Sequence, residues 1–117
     1  MKIRLAIDGK TLAATLDDNA AARDFLLLLP LKLTLRDYAS TEKIADLQKK
    51  LSTSGTPAGY DPAAGDLAYY APWGNLSIFY RDFGYSAGLV RLGRIEGGVA
   101  ALQEPVSVEL TIESAGN

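Results

Sequence analysis

Short segments in which apolar and polar residues alternate recur along most of this chain, and they restrict it to a mainly β fold. The clearest of them are residues 2–8, 11–16, 31–36, 89–95 and 106–113. In the first, Ile3, Leu5 and Ile7 alternate with polar or small residues. Because successive side chains of a strand point to opposite faces, this period of two is typical of half-buried strands. Asp8-Gly9 joins the first two segments and predicts a type I′ hairpin turn, in which both central residues need a positive φ.

Two segments have helical periodicity instead. Residues 17–19 (Asp-Asp-Asn) supply N-cap side chains, and apolar residues then follow at helical spacing at Ala22, Phe25, Leu26 and Leu29. Pro30 is expected to end this helix because proline has no amide N–H. A second, short helix is predicted after a cap at residues 40–41, with Glu42 in its first turn and a buried edge at Ile44, Leu47 and Leu51. Residues 99–102 predict one further helical turn.

The aromatic residues are concentrated in one part of the chain. Eight of the ten lie within residues 60–85, where strands are predicted at residues 67–71 and 76–81. Tyr69 and Tyr70 are adjacent, so a strand points them to opposite faces and only one of them enters the core. The other must lie at a surface or in a groove.

These elements predict a mainly β fold: a mostly antiparallel sheet of seven or eight strands with one main helix and one short helix. A sheet of that size around one core closes into a barrel or splits into a sandwich, because closure removes exposed edges. Residues 52–65 are dense in Gly, Pro, Ser and Thr and predict an extended surface loop, with Tyr60 favouring a docked one. The length of 117 residues is typical of a single domain, residues 1–117.

The composition excludes several function classes. The chain has no cysteine and no histidine, so thiol catalysis, disulfides and a Ser-His-Asp triad are excluded. Twelve basic and fourteen acidic residues give a net charge of -2, which does not supply the basic field that nucleic-acid binding requires. The most apolar run, residues 25–29, is too short to cross a bilayer, and no membrane partner is predicted. We expect a soluble, cytoplasmic protein, with an export signal removed from the natural chain as the alternative.

A candidate ligand site is predicted around the aromatic segment and the exit of the third strand. Trp73 either plugs one end of the barrel or forms an aromatic wall of a pocket. The charged residues near residue 40 form either a solvated loop or the rim of that pocket. Because the chain has no histidine, a general base at this rim would have to be Glu42 or Lys43 with a pKa shifted by burial. The predicted ligand-binding residues are Tyr38, Glu42, Lys43, Tyr70, Trp73, Asn75, Tyr80 and Arg91. Asp61 and Asp66 are interpreted as turn formers, and no metal, cofactor or nucleotide site is predicted.

Four segments carry a resemblance to a known family. They are DGK at residues 8–10, LDDNAAARDFLLLLPLKLTLRDYASTEKIADL at 16–47, AGYDPAAGDLAYYAPWGNLSIFY at 58–80 and VRLGRIEGG at 90–98. Together they resemble the bacterial cyclophilin-like domain family of small proteins, over residues 1 to about 113. The resemblance implies a closed cyclophilin-type β-barrel with helices over its open ends.

The resemblance implies less about activity. True cyclophilins isomerise X-Pro bonds with an arginine set in a pocket with Phe, Gln, Trp and His, whereas this chain has no histidine and no Phe-His-Arg motif. The favoured hypothesis is a binding module for a peptide or a small organic ligand. The alternatives are a divergent prolyl isomerase, a small-molecule hydrolase or isomerase, as similar barrels in amidohydrolase-type enzymes suggest, and a domain that acts through protein contacts alone.

Overall fold

The computed structural model describes residues 1–103 and 106–115, which contain ten strands, one α-helix and one short 3-10 helix. The strands are β1 (Lys2–Ile7), β2 (Lys10–Leu16), β3 (Leu31–Tyr38), β4 (Glu42–Asp46), β5 (Gly59–Tyr60), β6 (Asp66–Tyr70), β7 (Asn75–Phe79), β8 (Ser86–Ala87), β9 (Leu89–Ile95) and β10 (Val108–Ser114). The α-helix is α1 (Ala20–Leu27), and the 3-10 helix is Ala100–Leu102.

Eight of these strands close into an antiparallel barrel. Their order around it is β1-β10-β3-β4-β7-β6-β9-β2, and the β1–β2 hairpin completes the ring. The remaining two, β5 and β8, pair with each other in a two-stranded sheet beside the barrel. The predicted closed antiparallel barrel of about eight strands is therefore confirmed.

The barrel interior is filled by the inward side chains that the alternation predicted. Ile3, Leu5 and Ile7 are fully buried, in one core cluster with the inward residues of the other strands. Asp8 and Gly9 have φ values of 48° and 77°, as a type I′ turn requires.

Helix α1 begins at the position that the capping residues predicted. The Asn19 side-chain oxygen accepts a hydrogen bond of 2.8 Å from the Ala22 amide, and Ala22 and Phe25 are buried in the barrel core. The helix ends at Leu27, before Pro30. The described part of the chain holds no helix with the length and apolar character that a membrane crossing requires.

The prediction of a second helix after residues 40–41 is wrong, because this segment forms strand β4. Ala39 and Ser40 have φ values of 56° and 53° and form a tight turn, which returns the chain antiparallel to β3. Strand β4 then pairs with β3 on one side and β7 on the other. Because both edges of β4 are paired in the barrel, tertiary pairing overrides the helical spacing of its apolar residues. The short helix of the fold is instead the 3-10 helix Ala100–Leu102, in the segment where a helical turn was also predicted.

Candidate functional site

One stretch of the outer barrel face carries a row of aligned side chains across three strands. Tyr38 on β3 is paired with Glu42 on β4, and Glu42 is paired with Phe79 on β7. Two residues along, Ile44 is paired with Ser77. Directly paired residues on antiparallel strands project their side chains from the same face, so the register alone brings Tyr38, Glu42 and Phe79 together.

A second row crosses the same face near the β6–β7 turn. Asn75 on β7 is paired with Tyr70 on β6, which is paired with Leu89 on β9. The turn itself carries Trp73, whose ring packs edge-to-face with Tyr70 at 5.3 Å between centroids and with Tyr38 at 5.6 Å. Since Tyr38 belongs to the first row, Trp73 bridges the two rows.

The two rows enclose a groove of about 190 Å³, which we call the aromatic groove. Its other lining residues are Ala39, Phe83 and Ser86. Tyr38, Trp73 and Phe83 are 44%, 56% and 50% exposed, so aromatic surface faces solvent at its rim. The volume lies below the roughly 300 Å³ at which pockets for drug-sized ligands begin, and it is matched to one small organic group.

Trp73 does not plug the barrel, because more than half of it is exposed. Its turn is held by backbone hydrogen bonds from Gly74 N–H to the Tyr70 carbonyl, at 2.8 Å, and from Ala71 N–H to the Gly88 carbonyl, at 2.9 Å. Gly88 has a φ of 84°, and a Cβ there would lie 2.8 Å from a side-chain carbon of Pro72. Glycine at this position therefore allows the close approach that fixes the Trp73 turn.

The floor of the aromatic groove carries polar groups. Asn75 is 1% exposed, and its Nδ2 donates to the Ser77 hydroxyl at 2.9 Å and to the Leu76 carbonyl at 3.3 Å. Because a carbonyl can only accept, the amide is oriented, and its Oδ1 has no hydrogen-bond partner among the described residues. Burial raises the pKa of Glu42, and a hydrogen bond with Ser77 offsets part of that rise.

Lys43 and Tyr80, which the sequence placed in the site, lie on the inner side of the barrel wall. Each follows a groove residue, Glu42 or Phe79, and successive side chains of a strand point to opposite faces. Lys43 is fully buried; its Nζ donates to Asp37 Oδ1 at 3.2 Å and to the Val106 carbonyl at 2.6 Å. The Tyr80 hydroxyl donates to the same Asp37 oxygen at 2.5 Å.

The contacts among Lys43, Asp37 and Tyr80 shift the pKa values of Asp37 and Tyr80. Burial acts to raise the pKa of Asp37, but hydrogen bonds from Tyr80, Lys43 and the Ser40 amide, with the Lys43 charge, lower it below its usual value. Burial and the bond to Asp37 raise the pKa of Tyr80 to about 12. Lys43, Asp37 and Tyr80 therefore stabilise one end of the barrel rather than line the groove.

Arg91 is on the outer face but does not reach the aromatic groove. It forms an ion pair with Asp17, with 3.1 Å between Nε and Oδ2, beside a separate depression. The structure thus brings Tyr38, Glu42, Tyr70, Trp73 and Asn75 together, and it separates them from the other three predicted residues.

Sequence reasoning missed Phe79, Phe83 and Leu89. For Phe79 a signal was available, because alternation from Asn75 puts position 79, and not 80, on the groove face. No comparable signal marks Phe83 or Leu89, whose positions depend on the path of the β7–β9 connection and on the pairing of β9 with β6.

Asp66 fixes the long loop near the groove. It is 1% exposed and accepts hydrogen bonds from the Tyr60 hydroxyl at 3.2 Å, the Ala63 amide at 3.0 Å and Arg94 at 3.2 Å. Burial, together with this carboxylate, raises the pKa of Tyr60. The loop is docked through β5, in line with the expectation from Tyr60. Within residues 1–103 and 106–115, no three acidic side chains converge as metal ligands would.

Comparison with known proteins identifies the fold. The model of the cyclophilin-like family matches residues 5–113 of the chain. The solution structure of the hypothetical protein AF2241 from Archaeoglobus fulgidus is similar, with a TM-score of 0.70 and 19% identity, over 98% of this chain and 95% of that one. No protein of curated function matches significantly.

Proposed function

The chain belongs to the cyclophilin-like family, and we propose that it is a binding module whose aromatic groove takes one small organic group, from a free ligand or a peptide side chain. The observation that carries the proposal is the gathering of Tyr38, Tyr70 and Trp73 around a cavity with a polar floor. Concave sites lined by aromatic rings with a few placed polar groups are the usual form of small-ligand sites.

The solvent exposure of the groove rings supports binding over a purely structural role. Trp73 and Phe83 leave half or more of their surface in water while nearby core aromatics, such as Tyr69, are buried. Exposed apolar surface grouped at one concavity is typical of an interaction site. The two rows of groove residues lie on five paired barrel strands, β3, β4, β6, β7 and β9, so the pairing register fixes their positions.

The proposal can be tested by fluorescence, because Trp73 is the single tryptophan of the chain and lies in the groove. A panel of N-acetyl amino-acid N-methylamides, each presenting one side chain, is titrated while the indole emission is followed. We expect a saturable change with at least one member of the panel.

Two exposed aromatic residues of the same connection provide a matched pair of variants. Phe83 lines the groove, whereas Tyr85, which is 60% exposed, does not. Phe83→Ala should weaken the binding of the active panel member at least about threefold, since removing an aromatic contact costs on the order of 1 kcal/mol. Tyr85→Ala should leave it unchanged. An absence of saturable binding across the panel, or equal effects of the two variants, would contradict the proposal.

A further inference from the structure

Among the described residues, the aromatic groove has one acidic side chain and no basic side chain that would neutralise it. Of the described residues that line it, Glu42 is the one with a charged side chain, and neither lysine nor arginine joins it there. The adjacent Lys43 ammonium is on the inner side of the wall, where it bonds Asp37. The groove therefore presents one carboxyl group among aromatic rings.

The second polar group of the floor is also an acceptor. Both bonds from the Asn75 amide nitrogen go to neighbouring oxygens, of Ser77 and Leu76, and its Oδ1 is left without a partner among the described residues. The Asn75 oxygen has almost no accessible surface, so a ligand donor reaches it only when the side chain moves slightly, and the bond then recovers the free energy that the unpartnered oxygen costs. Glu42 and Asn75 together favour a ligand that donates hydrogen bonds.

The walls of the groove suit a cation. The ring planes of Tyr38 and Tyr70 are each nearly perpendicular to that of Trp73, at 83° and 81°, so rings in different orientations border one small volume. Aromatic rings attract ammonium groups through the negative potential of their faces, and tryptophan and tyrosine do so best. The chain already makes one such contact inside the barrel, where Lys43 Nζ lies 5.7 Å from the centre of the Tyr80 ring.

We infer that the aromatic groove binds a protonated alkylamine, with the ammonium at Glu42 and Asn75 and the alkyl chain against Tyr38, Tyr70 and Trp73. This inference rests on the proposed function and narrows its ligand to one chemical class. The raised pKa of Glu42 agrees with it, because a bound cation would stabilise the ionised carboxylate that burial disfavours.

The experiment compares n-butylammonium chloride with 1-butanol, followed by the Trp73 emission at pH 7 and at equal chloride concentration. The two probes have the same alkyl chain and differ in charge. We expect n-butylammonium to bind roughly tenfold more tightly, the size of effect that a partly desolvated cation–π contact and one ion pair produce together.

Glu42→Gln tests the source of that preference, and Glu109→Gln is its control. Glu109 is exposed on β10, outside the groove, and its substitution changes the net charge of the chain equally. The preference for n-butylammonium should fall to about twofold or less in Glu42→Gln and persist in Glu109→Gln. Equal loss in both variants would overturn the inference.

The outcomes separate this inference from the proposed function. Equal binding of n-butylammonium and 1-butanol to the wild type, or tighter binding of 1-butanol, overturns the inference and leaves the groove a binding site. Failure of both probes and of the whole blocked amino-acid panel overturns both. Binding of blocked lysine with the same dependence on Glu42 supports the inference with a peptide side chain as ligand, and binding of n-butylammonium alone supports it with a free amine.

Discussion

Glu42 and Lys43 are neighbours in the sequence, yet their charged groups lie on opposite sides of the barrel wall. The Glu42 carboxyl lines the aromatic groove outside, and the Lys43 ammonium is fully buried inside, bonded to Asp37. Because the wall separates them, Glu42 is not neutralised by the nearest lysine in the chain. That separation gives the groove its acidic character and gives the barrel interior its ion pair.

Replacing Glu42 by glutamine should stabilise the fold at neutral pH. The pKa of Glu42 is raised in the folded chain, chiefly by burial, so just above pH 4.5 the folded state holds a proton that the unfolded state has lost. Stability therefore falls as pH rises from the unfolded pKa to the raised folded value, and it stays lower above that window. The other described residues with ionisable side chains that line the groove are Tyr38 and Tyr70.

Urea denaturation of wild type and Glu42→Gln at pH 4 and pH 7 measures this effect. The variant should gain stability relative to wild type between the two values. Glu109→Gln is the matched exposed substitution. A Glu42→Gln variant that is equally destabilised at both pH values would show that the carboxyl has a structural role instead.

Removing Lys43 should strongly destabilise the barrel. Lys43→Met leaves the Asp37 carboxylate, whose side chain is 17% exposed, without its cation, and loss of one partner of a buried pair costs about 3 kcal/mol. The double variant Lys43→Met, Asp37→Asn should recover part of that loss, because asparagine can still accept the Tyr80 hydroxyl bond without a charge. Denaturant midpoints of the three proteins measure this, and a double variant less stable than Lys43→Met would refute the ion-pair explanation.

Ser40→Gly should stabilise the fold by about 1 kcal/mol. A left-handed conformation costs a non-glycine residue roughly 1–2 kcal/mol, and glycine removes this cost. Part of the gain is lost because glycine has more conformational entropy in the unfolded chain. Ser40 is exposed and has a φ of 53°. The matched control is Ala13→Gly, at an exposed position in β2, which should destabilise. Thermal unfolding distinguishes the two signs, and a lower midpoint for Ser40→Gly would show that the turn is not strained.

The same turn explains why part of the fold was not predicted. Asp8-Gly9 is a recognisable hairpin pair, whereas Ala39-Ser40 adopts the same positive φ values without any residue that prefers them. The helical spacing of Ile44, Leu47 and Leu51 then suggested a helix. The β3–β4 hairpin is imposed by pairing with β7, which is not visible in a local window of sequence.

The candidate site, like the fold, could be predicted from the sequence only in part. Alternation could establish that Tyr69 and Tyr70 diverge, and the structure buries Tyr69 and places Tyr70 in the groove. It could not establish which residues of separate strands face each other, because this depends on register. Lys43 and Tyr80 were therefore placed with groove residues although each is one position off the groove face.

An NMR measurement of the protein with n-butylammonium tests the alkylamine site most directly, because intermolecular nuclear Overhauser effects report which side chains touch the alkyl chain. We expect contacts with the rings of Tyr38, Tyr70 and Trp73 in the wild type, and weaker binding of n-butylammonium through the same rings in Glu42→Gln. Contacts with Tyr85 or Tyr60 in place of these rings, or a complex unaffected by Glu42→Gln, would contradict an alkylamine site in the aromatic groove.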